Sequence, residues 1–347
     1  MPSPKEKVVP ITGKRPRGGP REIRLTEVAA LARVSPITVS RALNNPEVVA
    51  PDTLKRIQLA VRQLGYVPNR LAGSLSSSKS RLIAAIVPTV THSLFAASIQ
   101  AFSNEMSRAG YQVLLGLSGY SDVDECQVLD ALLSRRPEGL LLIGVARSTA
   151  LRARLLNVKI PIVETWDMTD TPVDMLVGFS HYGAGVAVAE RFLACGKSRP
   201  AIISADDERA MSRREGFMET MARHGIDTVA QVLVRPPSSV AQGRNSFATI
   251  IAQSPDIDAV FCGSDLLALG VLSEARARGV DVPSQLSVCG FGDLEFSADL
   301  APALTTVQMD GSRMGTAAAH CLLDRLDGSP ARPKIDVGFT LIARETA

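Results

Sequence analysis

Apolar positions between Leu25 and Asn45 recur at helical spacing in two short blocks. In the first block Val28, Ala29 and Ala32 share a face, Thr26 can cap the amino end, and Glu27 sets a negative charge in the first turn. In the second, Ser35 is a good cap and Pro36 takes the first helical position, where its missing N–H is not required. Val39, Ala42 and Leu43 then face inward, which turns Ile37 and Arg41 outward. The pattern predicts two helices joined by a tight turn at Arg33 and Val34. Spacing alone does not separate an ordinary helical hairpin from a DNA-reading pair. A third helix opens at Pro51 and Asp52, carries Leu54, Ile57, Val61 and Leu64 as a stripe, and stops at Gly65.

Beyond Arg81 the pattern changes to short apolar runs alternating with amphipathic helices. LIAAIV (82–87), YQVLLG (111–116) and GLLLIG (139–144) are continuous rather than alternating in hydrophobicity, as parallel strands buried on both faces are. Ser93 can cap the helix that follows the first run and ends near Gly110. Ser121, with Asp122, Asp124 and Glu125 in the first turn, starts another. The same grammar resumes with AIIS (201–204), VLV (232–234), AVFCG (259–263) and SVCGF (287–291). Its helices centre near Val188, Met218, Ile250, Leu272 and Ala318, and a last strand lies around 335–342. Two βα sets of this kind predict two doubly wound lobes with parallel sheets, whose ligands bind beyond the carboxyl ends of the strands. A cleft between the lobes is the expected site.

The 347 residues, 46% hydrophobic and 21% charged, suit two or three packed domains at roughly 150 residues each. No apolar run approaches the ~20 residues needed to span a bilayer, and the amino terminus is basic and Pro-rich without an apolar core, so a cytoplasmic chain with no membrane partner is expected. The five cysteines are scattered, with no CxxC, and the four histidines are dispersed. Neither a disulfide framework nor a metal site is indicated, and no cofactor-binding motif is present. Charge divides unevenly. Residues 1–81 carry 15 Lys or Arg against 5 Asp or Glu, whereas residues 82–347 carry 23 against 30. A basic head of net +10 on an acidic body of net −7 fits phosphate binding at one end only.

The run TEVAALARVSPITVSRALNN, followed by VVAPDTLKRIQLAVRQLGYVPNRLAGSL, resembles the amino-terminal headpiece of the lac-repressor (LacI) family of bacterial transcription regulators. The carboxyl-terminal half, in GSDLLALGVLSEARARGVDVP, SVCGFGDLEFS and PALTTVQMD, is similar to the family's periplasmic-binding-protein-like core. Two positions depart from the family's pattern: Gly292 takes the first acidic position of a Gly-aromatic-Asp-Asp segment, leaving Asp293, and Ser264 replaces the usual Asn before Asp265. With PTVTHSLFA, RRPEGLLLIG and PIVETWDMTDTPVDMLVGFS, these look most like the gluconate-operon repressor subgroup. The Pro-rich, basic residues 1–20 lack periodicity and are expected to form a disordered arm, and the resemblance implies a helix-turn-helix headpiece over 21–68, a hinge over 69–80 and a two-lobed effector-binding and dimerisation core over 81–347. The implied partners are operator DNA, a sugar-acid effector such as gluconate that releases it, and a second copy of the chain. A dimer is further expected because no heptad tail follows the last strand.

Residues expected against DNA are Thr26, Ser35, Pro36, Ile37, Thr38, Ser40, Arg41 and Asn44 in the headpiece, and Asn69, Ala72 and Leu75 in the hinge, where the resemblance implies that Leu75 wedges into the minor groove. A sugar acid needs a guanidinium for its carboxylate and acidic or amide groups for its hydroxyls. Arg213, in SRREGF, matches the family's effector-contacting Arg, although Arg214 beside it can exchange roles. Asp293 and Ser264 end predicted strands and can bond hydroxyls, while Asp265 either joins them or caps the next helix. Trp166 and His92 also follow predicted strands and line the pocket unless they are core. Two other functions compete: a sugar-binding or transport-associated protein using the core alone, and an enzyme on a sugar acid. No nucleophile, phosphate loop or acid–base pair supports the enzyme.

Overall fold

The computed structural model describes residues 23–67, 80–90, 93–119, 122–328 and 334–347. The arm, the hinge positions Asn69, Ala72 and Leu75, and also His92 and Ser121 lie outside the described residues. The chain divides into two compact units, Met1–Ser78 and Lys79–Ala347.

The first unit packs α1 (Leu25–Ala32), α2 (Pro36–Asn44) and α3 (Pro51–Leu64), with a 3-10 turn at Pro46–Val48. Val28, Ala29, Ala32, Val39, Ala42, Ile57 and Ala60 form its core, and Leu54, Val61 and Leu64 pack against them. Ser35 caps α2, its hydroxyl accepting from the Thr38 N–H at 3.2 Å, and Gly65 ends α3 at φ 64°. Thr26 does not cap α1. The helix starts at Leu25, two residues earlier than a Thr26 cap would set, with Glu27 N–H bonded to the Arg24 carbonyl at 2.9 Å, so Thr26 lies inside the first turn and no side chain caps that end.

The second unit is two lobes. The first lobe's elements are β1 (Leu82–Val87), α4 (Ser93–Arg108), β2 (Gln112–Leu117), α5 (Asp122–Leu133), β3 (Gly139–Ile143), α6 (Thr149–Asn157), β4 (Ile162–Thr165) and β5 (Met175–Gly178). The second lobe follows with α7 (His181–Ala194), β6 (Pro200–Ala205), α8 (Glu208–Arg223), β7 (Ala230–Val234), α9 (Val240–Gln253), β8 (Ala259–Cys262), α10 (Asp265–Ala277), β9 (Ser287–Phe291) and β10 (Thr305–Gln308). The chain then returns as α11 (Gly311–Leu326) and β11 (Lys334–Asp336) before ending with β12 (Thr340–Ile342). The sheets run β11-β5-β4-β3-β1-β2 and β12-β10-β9-β8-β6-β7. Every pairing is parallel except β10 with β12. No described helix is long and apolar enough to cross a membrane.

Two further expectations change in the structure. The strand expected around 335–342 is two strands in different sheets: β11 pairs with β5 and β12 with β10. Between them Gly338, at φ 71°, turns the chain from one lobe to the other. The run at 111–116, expected to be buried on both faces, is an edge strand that leaves Leu115 and Leu117 half exposed, because only β1 pairs with it. Strands β5 and β10 and helix α6 had no pattern long enough to be marked.

Three helix pairs of the core approach through glycines, α4 with α11, α9 with α10 and α7 with α8, and the last of these bears on the site. A Cβ on Gly185 of α7 would stand 2.0 Å from the Arg213 carbonyl, and one on Gly216 of α8 would stand 2.1 Å from the Tyr182 carbonyl. Only glycine permits this approach, which holds the Arg213 turn of α8 against the start of α7.

Candidate functional site

In the headpiece, α2 buries Val39 and Ala42 and presents its other face outward. Ile37 is 67% exposed, and Pro36 and Arg41 are exposed beside it. The Ser35 and Thr38 hydroxyls hydrogen-bond each other at 2.8 Å, so their expected place against DNA coincides with a capping role. Ser40 is half-buried, Thr26 is exposed on α1, and Asn44 is the last residue of α2. An exposed Arg beside an apolar side chain on one helix face can bond guanine edges and touch thymine methyls. Arg41→Ala is expected to lose roughly 1–3 kcal/mol on a cognate site and far less on random DNA, measured by fluorescence anisotropy. Equal losses on both would make Arg41 a phosphate contact only.

In the second unit a cleft opens between the lobes where the strands end. Its first chamber, with about 510 Å³ of empty space counting the mouth, includes Phe95, Trp166, His181, Arg209, Arg213 and Phe291 in its wall. Phe95 comes from α4, Trp166 follows β4, and Phe291 ends β9, so both lobes contribute, as strand-end geometry requires.

Arg213 is the centre of this chamber. It is buried, and its Nη1 donates to His181 Nδ1 at 2.9 Å while its guanidinium carbon stands 4.1 Å from the centre of the Phe291 ring. His181 Nε2 lies 2.8 Å from the Trp166 carbonyl. Because Arg213 can only donate, His181 accepts at Nδ1 and carries its proton on Nε2, donating it to that carbonyl. Trp166, at φ 65°, is fixed in turn by its indole N–H, which donates to Ser98 Oγ at 3.0 Å, and by an edge-on contact with Phe95. Arg213 Nε is buried without a hydrogen-bond partner, and no carboxylate among the described residues forms an ion pair with this guanidinium. Burial lowers its pKa to about 10, so it stays charged at neutral pH.

Burial, and then the nearby Arg213 and Arg209 charges, push the His181 imidazole well below 6.5. The unfolded chain therefore binds the extra proton first as pH falls. The stabilisation from a neutral His181 is complete above about 6.5 and is lost progressively below it. Melting temperature is expected to fall more steeply below pH 6.5 in the wild type than in His181→Gln, and parallel curves would contradict this assignment.

The other expected ligand contacts have different partners. Ser264, not Asp265, caps α10, accepting from Leu267 N–H at 3.3 Å. Asp265 is fully buried and accepts from Leu294 N–H, Ser297 Oγ and Thr306 Oγ1 at 2.7, 2.9 and 2.6 Å. Asp293 is held by Arg344 and Gln308, both at 2.7 Å. Neither Ser264 nor Asp293 lines the chamber: the Ser264 hydroxyl caps α10, and the Asp293 carboxylate is held by Arg344 and Gln308. Arg214 does not line it either, whereas Arg213 does. Sequence reasoning missed His181, Phe95, Phe291 and Arg209, of which Arg209 carries charge. Arg209 stands one turn before Arg213, with its guanidinium carbon 5.3 Å from the centre of the Phe95 ring and its Nη1 buried without a partner. Its i, i+4 spacing from Arg213 was the available signal.

Known proteins agree with this architecture. The family described as bacterial regulatory proteins, lacI family, matches residues 24–69, and a periplasmic binding protein-like domain matches residues 189–347. The chain is 38% identical over 325 residues to the HTH-type transcriptional regulator GntR of Pseudomonas aeruginosa, covering 93% of this chain and 95% of that one. It is 32% identical to the regulator of the same name from Escherichia coli, covering 91% and 96%. Among solved structures, a LacI-family transcriptional regulator from Silicibacter pomeroyi superposes with a TM-score of 0.88 at 31% identity, covering 93% of this chain and 99% of that chain.

Proposed function

This chain belongs to the lacI family of bacterial regulatory proteins and is a DNA-binding transcriptional regulator, and on that premise we propose that a sugar acid such as gluconate binds its cleft and releases it from operator DNA. The observation that carries the proposal is the Arg213 guanidinium, which is buried, charged, without a carboxylate partner and with an N–H left unbonded. Burial lowers the pKa of this guanidinium, so keeping it charged there costs free energy. A ligand carboxylate offsets that cost by accepting charge-assisted hydrogen bonds. His181 and Phe291 hold the guanidinium in place, so little side-chain freedom is lost on binding. Phe95 and Trp166 supply an apolar wall for the carbon chain of the ligand.

The competing reading as a transport-associated sugar-binding protein loses ground to the helix-turn-helix headpiece and to relatives that are regulators over most of their length. We take the working form to be a homodimer, whose two headpieces meet two operator half-sites. Effector and DNA are then linked reciprocally: if gluconate weakens operator binding tenfold, operator-bound protein binds gluconate tenfold more weakly. Titrating gluconate, and glucose as a neutral control, into the free protein and into its operator complex tests this. Gluconate alone is expected to bind and to dissociate the complex. Equal binding of glucose, or no effect on the complex, would remove the proposal.

A further inference from the structure

The cleft continues from its first chamber into a second, and the two differ in the charge of their walls. The second chamber, with about 1050 Å³ of empty space counting its mouth, shares Asp207, Arg209 and Pro236 with the first. It adds the carboxylates Glu125, Asp167, Asp206 and Glu208, and a single further cation, Arg147. That cation is committed: Arg147 Nη2 donates to Asp167 Oδ2 at 2.6 Å, and its Nε lies 3.0 Å from Glu208 Oε2, joining the two lobes. In the first chamber the balance is reversed. Arg213 and Arg209 both keep buried N–H groups without partners, and neither forms an ion pair with a carboxylate among the described residues.

Resting on the sugar-acid reading above, we infer that this cleft selects an acid charged at one end only, accepting aldonates and refusing aldarates of the same length. The ligand carboxylate lies with Arg213 and Arg209. The polyhydroxy chain runs past Asp207 into the second chamber, where carboxylates accept hydrogen bonds from its hydroxyls. A second carboxylate at the far end has no proton to donate and meets like charge, which is how a site rejects a near-isostere. The feature that sets specificity is thus the acidic chamber, and Arg209 marks the boundary between its charge and that of the arginine chamber.

Gluconate and glucarate test this with little change of size, since they differ only in a terminal CH2OH against a carboxylate. Calorimetric titration of each into the full-length protein is expected to show gluconate binding at least tenfold more tightly. The double substitution Asp206→Asn with Glu208→Gln removes two negative charges at exposed positions and releases Arg147 from one partner. It is expected to narrow the gap between the two acids at least threefold. Glucarate binding as tightly as gluconate would overturn the inference while leaving the sugar-acid reading in place. A gap that the double substitution does not change would also overturn it, because the acids would not be its cause. If neither acid binds the wild type, the sugar-acid reading fails first and this inference falls with it.

Discussion

Arg213→Ala is expected to weaken gluconate binding roughly 100-fold, equivalent to about 2.8 kcal/mol, and to leave operator affinity without effector nearly unchanged. The result is a repressor that gluconate does not release. The magnitude follows from the loss of charge-assisted hydrogen bonds in a buried setting, where solvent cannot replace them. His181 loses its donor at Nδ1 in this variant, so part of the loss comes from a rearranged wall rather than from the missing charge. Arg213→Lys separates the two contributions: it restores the charge without the planar fork and is expected to recover only part of the affinity. Calorimetry of gluconate alongside operator titration reads both quantities. Normal gluconate binding by Arg213→Ala would place the effector somewhere other than this chamber.

Removing residues 1–80 is expected to abolish operator binding while the remaining chain, a compact unit with its own sheets, still binds gluconate. The net +10 carried by residues 1–81 makes the full-length protein's affinity steeply salt-dependent, with log K falling by about 0.9 for each phosphate contact neutralised. The net −7 of the remainder cannot supply that attraction. A footprint on operator DNA from the truncated protein, or an affinity that does not change with salt, would contradict the assignment of DNA binding to the headpiece.

Several features were legible in the sequence because they depend on near neighbours. Ser35 and Pro36 start a helix through bonds made within one turn, and Gly65 stops one through its own φ. The inward Val39 and outward Ile37 follow from helical periodicity. The βα alternation of the core was readable at most of its apolar runs, the four-residue β8 among them, but not at β5, nor at β10, whose TTVQ holds a single apolar residue. Thr26 shows the limit at short range: either Arg24 or Thr26 can begin the same helix, and the backbone bond to Arg24 decided between them.

By itself the sequence determined the headpiece helices, the two-lobed βα architecture and the basic head, because periodicity, caps and charge are all local. The tertiary structure alone decided what Arg213 touches: His181, 32 positions earlier, and Phe291, 78 positions later, meet it only because two lobes and a glycine-tight helix pair bring them together. It also decided that Asp293 is tied to Arg344, that Arg209 stacks over Phe95 in the chamber wall, and that the residues around Gly338 belong to two sheets. Each of these depends on contacts distant in sequence. A hydroxyl or carboxylate bonds whichever donor the fold places within about 3 Å, and residue spacing along the chain carries no information about that.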